Sequence, residues 1–106
     1  MCGFIGIASK EKINSSNLES ENKRIICRGP DETKYIKEES SDLSFELIFN
    51  RLSILELSEY GSQPLISKDK NHLLMFNGEI FNYIELKKYL EKYNIVYNSK
   101  NSDSEV

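Results

Sequence analysis

Cysteine at position 2, directly behind the initiator methionine, is the residue in this chain best placed for covalent chemistry. A side chain this small next to Met1 is compatible with removal of the methionine, which would leave a free α-amine and a thiol on one residue. An α-amine titrates near about 7.7 to 8.0 and a thiol near about 8.5, so at neutral pH the amine can act as general base toward its own side chain. One residue would then supply nucleophile and base. Taken by position alone, Cys2 is more simply a small apolar residue packed in a first strand.

Other residues offer chemistry less directly. Asn77-Gly78 is the strongest hairpin-type turn signal in the chain and by itself reads as a tight turn. Arg51 has Phe49, Leu52 and Ile54 as apolar neighbours, which argues against a plain surface salt bridge. Asp103 lies in an all-polar stretch and, taken alone, reads as a solvated loop residue. Cys2, Cys27 and the single His72 stand at scattered spacing and fall short of a zinc set, so no metal site is expected. Cys27, beside Ile26, is expected to be a packed thiol. Arg28-Gly29-Pro30-Asp31 has one glycine and a proline, no cradle of amides for a phosphate, and is expected to be a structural turn.

These residues need elements to hold them. Residues 1–8 form a short apolar run with Gly3 and Gly6 inserted, the pattern of a buried strand whose backbone approaches something closely. Residues 9–24 are polar with weak helical spacing, enough for a short helix before the turn at Gly29-Pro30. Leu43, Phe45, Leu47 and Phe49 alternate with Ser44, Glu46 and Ile48, which predicts a strand buried mainly on one face. Residues 61–64 break the chain, and residues 73–76 predict a further buried strand ending at Asn77-Gly78. Asn82 with Glu85 resembles a capping box opening a helix whose apolar stripe is Leu86, Tyr89, Leu90 and Tyr93. That stripe is expected to pack on a sheet. Residues 95–97 predict one more short strand, and residues 98–105 run on as a polar segment without a helix stop.

The chain has 106 residues, enough for one domain with a modest core. Lys and Arg total 14 against 17 for Asp and Glu, a net charge of −3 spread along the sequence, which favours no nucleic-acid partner. No apolar stretch approaches the roughly 20 residues that span a bilayer, so no membrane segment is expected. The N-terminus lacks a basic region followed by a long apolar core, which points to a reducing cytoplasm and unpaired thiols. The glycosylation sequon at Asn14-Ser15-Ser16 carries no weight without a signal peptide.

Six segments in one order resemble a known family: Met1-Cys2-Gly3-Phe4-Ile5-Gly6-Ile7, Arg28-Gly29-Pro30-Asp31, Arg51-Leu52-Ser53-Ile54, Gly61 with Gln63-Pro64, Phe76-Asn77-Gly78-Glu79-Ile80-Phe81-Asn82-Tyr83, and Ser102-Asp103-Ser104-Glu105-Val106. Together they resemble the glutaminase domain of glutamine-dependent asparagine synthetases, which are class II amidotransferases. The resemblance implies an α+β fold, the N-terminal-nucleophile hydrolase sandwich, in which two mainly antiparallel sheets lie between helix layers. It implies that residues 1–106 are the N-terminal portion of such a domain, with the sandwich incomplete and the synthetase domain absent. It further implies that Cys2 attacks the side-chain amide of L-glutamine and that the Asn77 side chain and the Gly78 N–H hold the oxyanion. Arg51 would take the substrate carboxylate, and Asp103 and Glu79, with the Ile54 backbone nearby, would take its ammonium. No cofactor is implied for this portion; ATP and magnesium are implied for the synthetase domain.

The sequence departs from the family by carrying Cys27 and Asn50 where histidines are common, neither of them a nucleophile or substrate anchor. Two alternatives stay open: a truncated, non-catalytic glutamine-binding or interaction fragment, and the front end of a homologue that aminates another acceptor, including those of surface-polysaccharide pathways. A half-built sandwich would leave strand edges and an apolar sheet face uncovered, and self-association is then expected.

Overall fold

In a computed structural model that describes residues 1–13 and 17–106, the organising element is the strand β3, Ser44–Arg51, paired along both edges. The sequon at residues 14–16 lies outside the described residues. Strand β1, Gly3–Ser9, runs antiparallel to β3 with Gly3 opposite Asn50 and Ser9 opposite Ser44. Strand β2, Glu32–Glu39, runs antiparallel along the other edge with Glu32 opposite Arg51, giving the order β1-β3-β2. β2 was not foreseen, because Glu32, Lys34, Lys37, Glu38 and Glu39 break any apolar alternation. Charge of that density suits an exposed edge, where it also discourages pairing with another chain.

β3 is buried chiefly on the face opposite to the one expected. Ser44, Glu46, Ile48 and Asn50 are all buried, while Phe45 and Leu47 are half-buried and Phe49 alone of that set is fully covered. The short helix α1, Leu18–Asn22, lies against the first face with Leu18 and Asn22 buried, and Ile13 is buried as well. Polar groups survive there because they satisfy one another. The Asn50 amide donates to Asn22 Oδ1 at 2.6 Å, and Asn50 Oδ1 accepts from the Thr33 hydroxyl at 2.9 Å. Lys37 Nζ reaches the fully buried Glu46 at 2.7 Å and leaves its other oxygen without a partner among the described residues. On the opposite face Phe4 stacks on Phe49 at 6.5 Å but stays 45% exposed. The expected burial of residues 1–8 is therefore corrected: β1 is an edge strand, and no described element covers its Phe4 side.

A second, two-stranded sheet pairs β4, Leu65–Ile66, with β5, Leu73–Leu74. Its turn lies between these strands, where Ser67 N–H donates to the His72 carbonyl at 3.0 Å and Lys70 takes a left-handed φ of 59°. The hairpin expected at Asn77-Gly78 is absent, since the paired strand stops at Leu74 and Gly78 keeps a negative φ. Helix α2, Tyr83–Leu90, forms where the spacing predicted it, followed by a 3₁₀ turn, Glu91–Tyr93. The capping box does not form. Asn82 has φ −98° and ψ 27°, outside the extended region that aims an N-cap side chain at the first turn. Nor does α2 pack on a sheet, for none of its residues is buried. Its aromatic stripe is satisfied locally: Tyr89 meets Tyr93 edge-on at 6.4 Å, and Lys92 Nζ lies 3.7 Å from the Tyr89 ring centre. Residues 95–97 form no strand, and Val96 is 76% exposed. Among the described residues no helix is long and apolar enough to cross a membrane.

Candidate active site

Antiparallel pairing brings the start of β1 beside the end of β3, so Cys2 arrives next to Arg51 and Leu52 although they are about fifty residues apart. The Leu52 N–H donates to Cys2 Sγ at 3.4 Å, and Sγ lies 3.8 Å from the Leu52 carbonyl. Arg28 Nε donates to the Cys2 carbonyl at 3.1 Å. The same turn grips the end of β3: Asp31 N–H donates to the Arg51 carbonyl at 3.1 Å, and Asp31 Oδ2 accepts from Ser53 N–H at 2.7 Å. Arg28-Gly29-Pro30-Asp31 is thus the structural turn beside the site that the sequence suggested. Cys27 departs from expectation, because it is exposed on a 3₁₀ turn, Ile26–Arg28, none of whose residues is buried. Cys2 is half-buried, and both thiols are free.

Arg51 is buried, which removes the surface-salt-bridge reading. Its Nη1 donates to Glu32 Oε2 at 3.3 Å and its Nη2 to the Glu56 carbonyl. A guanidinium has five N–H donors, so donors remain for a bound carboxylate. The β2 register supplies Glu32, whose two oxygens also accept the Ser62 hydroxyl at 2.7 and 2.8 Å. Burial pushes the Glu32 carboxyl up, but hydrogen bonds from Ser62 and Arg51, together with the Lys34 and Arg51 charges, outweigh it and hold the carboxyl below its ordinary value. Gly61 leaves room for the guanidinium; a Cβ there would come within 2.5 Å of Nη2.

The segment Phe76 to Glu79 lines the same cavity as Cys2 and Arg51. Buried Gln63, preceding a cis peptide bond to Pro64, accepts the Phe76 N–H at 2.6 Å and so fixes where Asn77 and Gly78 begin. Beyond them Asp103 Oδ2 accepts the Ile80 N–H at 2.8 Å. Asp103 is half-buried, and its reading as a solvated loop residue is corrected for that reason. The polar stretch around it is internal, with Ser99, Ser102 and Ser104 each buried.

All seven residues singled out from the sequence line one cavity of about 340 Å³, a volume suited to a small ligand. Cys2 and Arg51 form its sheet side with Ile54 at an exposed edge. Asn77, Gly78, Glu79 and Asp103 line the same cavity. Among the described residues no group of three or more His, Cys, Asp or Glu could hold a metal ion.

A half-buried thiol, a buried guanidinium, an Asn-Gly pair and two carboxylates line this one small cavity. The chain belongs to the glutamine amidotransferase domain family, whose model matches residues 1–106. It is 39% identical over 111 residues to asparagine synthetase [glutamine-hydrolyzing] 1 of Bacillus subtilis, covering 100% of this chain and 17% of that protein. It is 36% identical over 115 residues to a putative asparagine synthetase [glutamine-hydrolyzing] 2 of Methanocaldococcus jannaschii, covering 90% and 21%. A second Bacillus subtilis asparagine synthetase is 37% identical over 98 residues, covering 88% and 12%. The chain therefore spans between 12% and 21% of the length of these relatives. No solved structure gives a significant match.

Glu56 was missed by sequence reasoning. Its carboxylate accepts the hydroxyl of Ser99, and both the hydroxyl and the N–H of Ser58. Those bonds, Ser99 first, lower its carboxyl to about 2 against the opposing effect of burial. The pH dependence follows from that direction. A depressed carboxyl contributes stability that is complete above its ordinary value of 4.5 and is lost as pH falls through about 2. Glu32 acts in the same sense. The protection factors of the Asn101 and Ser102 amides, which donate to Ser99 Oγ, are expected to hold down to about pH 4.5 and to fall toward pH 2 once the rate at each pH is corrected for intrinsic exchange. Glu56→Ala should abolish that protection at neutral pH.

Proposed function

We propose that this chain hydrolyses glutamine to glutamate and ammonia with Cys2 as nucleophile after loss of Met1, and that the ammonia serves ATP-dependent conversion of aspartate to asparagine. The observation carrying this reading is the convergence of Cys2, Arg51, Asn77, Gly78 and Asp103 on one cavity of about 340 Å³. The freed α-amine takes the thiol proton, and Sγ attacks the side-chain amide carbon to form a tetrahedral intermediate. Its oxyanion accepts hydrogen bonds from the Asn77 amide and the Gly78 N–H. Collapse expels ammonia, with the proton returned from the α-ammonium, and leaves a thioester. Water, deprotonated by the same amine, then releases glutamate. Arg51 pairs bidentately with the substrate carboxylate, and Asp103 and Glu79 accept from its ammonium with Ile54 alongside, so every charge on a zwitterion is compensated.

The two sheets are proposed to belong to an N-terminal-nucleophile hydrolase sandwich, a reading supported by the apolar Phe4, Phe45 and Leu47 side that stays partly exposed here. Residues 1–106 then act as the glutaminase portion beside a synthetase domain in the cytoplasm. ATP and magnesium belong to that domain, and no step above runs through them. The test is glutamate and ammonia release by the natural polypeptide beside Asn77→Ala. Loss of one oxyanion donor costs about 3 to 4 kcal/mol, so kcat should fall by about 10² to 10³ with KM little changed. An Asn77→Ala protein with undiminished kcat would remove Asn77 from the mechanism.

A further inference from the structure

We infer that Glu56 is a positioning residue that ties Arg51 to the loop carrying Asp103 and so sets the spacing of the two groups by which an α-amino acid is recognised. The inference rests on the function proposed above and adds the device that makes the site selective for a zwitterion. Glu56 bonds to both sides of this connection. Its backbone carbonyl accepts from Arg51 Nη2, and its carboxylate accepts the Ser99 hydroxyl, 43 residues along the chain. Ser99 organises the loop that carries Asp103: its Oγ accepts the N–H of Asn101 at 3.1 Å and of Ser102 at 3.0 Å. Those two bonds fill the acceptor positions of a hydroxyl, so its proton is left for Glu56. Lys87 Nζ donates to the Ser99 carbonyl at 2.7 Å, and Glu105 accepts the Ser99 N–H at 2.9 Å. The Ser102 and Ser104 hydroxyls meet at 2.9 Å on either side of Asp103. The loop is thus fastened at Ser99, and Glu56 fastens Ser99 to the arginine.

The polarity of this strut is specific. Oε1 of Glu56 faces two donors, Ser58 N–H at 3.0 Å and Ser58 Oγ at 2.7 Å, while Oε2 faces the Ser99 hydroxyl. A carboxylate accepts at both ends. An amide accepts at only one, so glutamine, of the same shape, must turn its NH₂ toward a donor on one side. The low carboxyl pKa keeps the group in its accepting form throughout the neutral range.

The test separates positioning from mere folding. Ligand affinity is measured by calorimetry in the natural polypeptide carrying Cys2→Ala, using glutamine and glutaramate, which lacks only the α-amine. Glu56→Gln and Ser99→Ala should each weaken glutamine by about tenfold while changing glutaramate by less than about twofold, collapsing the preference for the ammonium. The double variant should bind no more weakly than the weaker single variant, because both break one connection. An unchanged preference, or equal weakening of both ligands, overturns the proposal. If Cys2-dependent turnover is intact while both variants keep the parent's preference, the strut alone fails. If the parent binds no glutamine, the strut and the proposed function fail together.

Discussion

Replacing Cys2 by alanine is expected to lower glutamine hydrolysis by about a thousandfold or more, to the background of the assay. The effect is large because the substitution removes the attacking sulfur, and the α-amine that remains has no thiol to deprotonate. The structural cost should be small. Cys2 is half-buried, and its thiol bonds the Leu52 backbone, with the N–H at 3.4 Å and the carbonyl at 3.8 Å. An alanine there should leave the thermal unfolding midpoint within a few degrees of the parent, a loss of about 1 kcal/mol or less. Activity surviving in a folded Cys2→Ala protein would contradict the mechanism outright. Substituting the exposed Cys27 should leave turnover unchanged, since it lies outside the cavity lining.

Gly29→Ala is expected to have the largest effect on stability, about 3 to 5 kcal/mol by denaturant unfolding. A Cβ at this position would stand 2.2 Å from the Asn50 carbonyl oxygen and 2.7 Å from the Arg51 carbonyl carbon, all backbone and unable to swing aside. Relief requires the Arg28 to Asp31 turn to lift away from β3. That turn holds the Cys2 carbonyl through Arg28 and the Arg51 carbonyl through Asp31 N–H. Whatever fraction remains folded should therefore also bind glutamine poorly. A Gly29→Ala protein as stable as the parent would mean that the turn does not clasp the strand as described.

The site was more legible in the sequence than the architecture that holds it. Cys2, Asn77 and Arg51 stand in short strings whose residue types are dictated by a reaction or by a substrate charge, so local spelling suffices to find them. β2 was hidden because an edge strand needs no apolar alternation, and its position rests on pairing with β3 across the Ser40 to Leu43 turn. The burial of β3 was assigned to the wrong face because Asn50 and Glu46 look like surface residues. Only their partners, Asn22, Thr33 and Lys37, reveal that they are interior. The same applies to residues 98–105, whose serines read as solvated loop but point their hydroxyls at one another and at Glu56. Long-range hydrogen bonding leaves no periodic signature, and Glu56 has no local feature that separates it from the other acids. The stripe on α2 was read correctly as a helix face, yet its tyrosines pair with each other rather than with a sheet.

The central claim is that an N-terminal Cys2 forms the covalent bond to substrate. Its most direct test is to react the natural protein with a glutamine analogue bearing an electrophilic ketone in place of the amide, then map the adduct by peptide mass spectrometry. Cys27 is the more exposed thiol and serves as an internal control for indiscriminate reaction. A terminal peptide beginning at Cys2, without Met1, should carry the whole adduct, and excess glutamine should prevent the labelling. Retained Met1 on active protein, or an adduct on Cys27 at equal or higher yield, would contradict the claim.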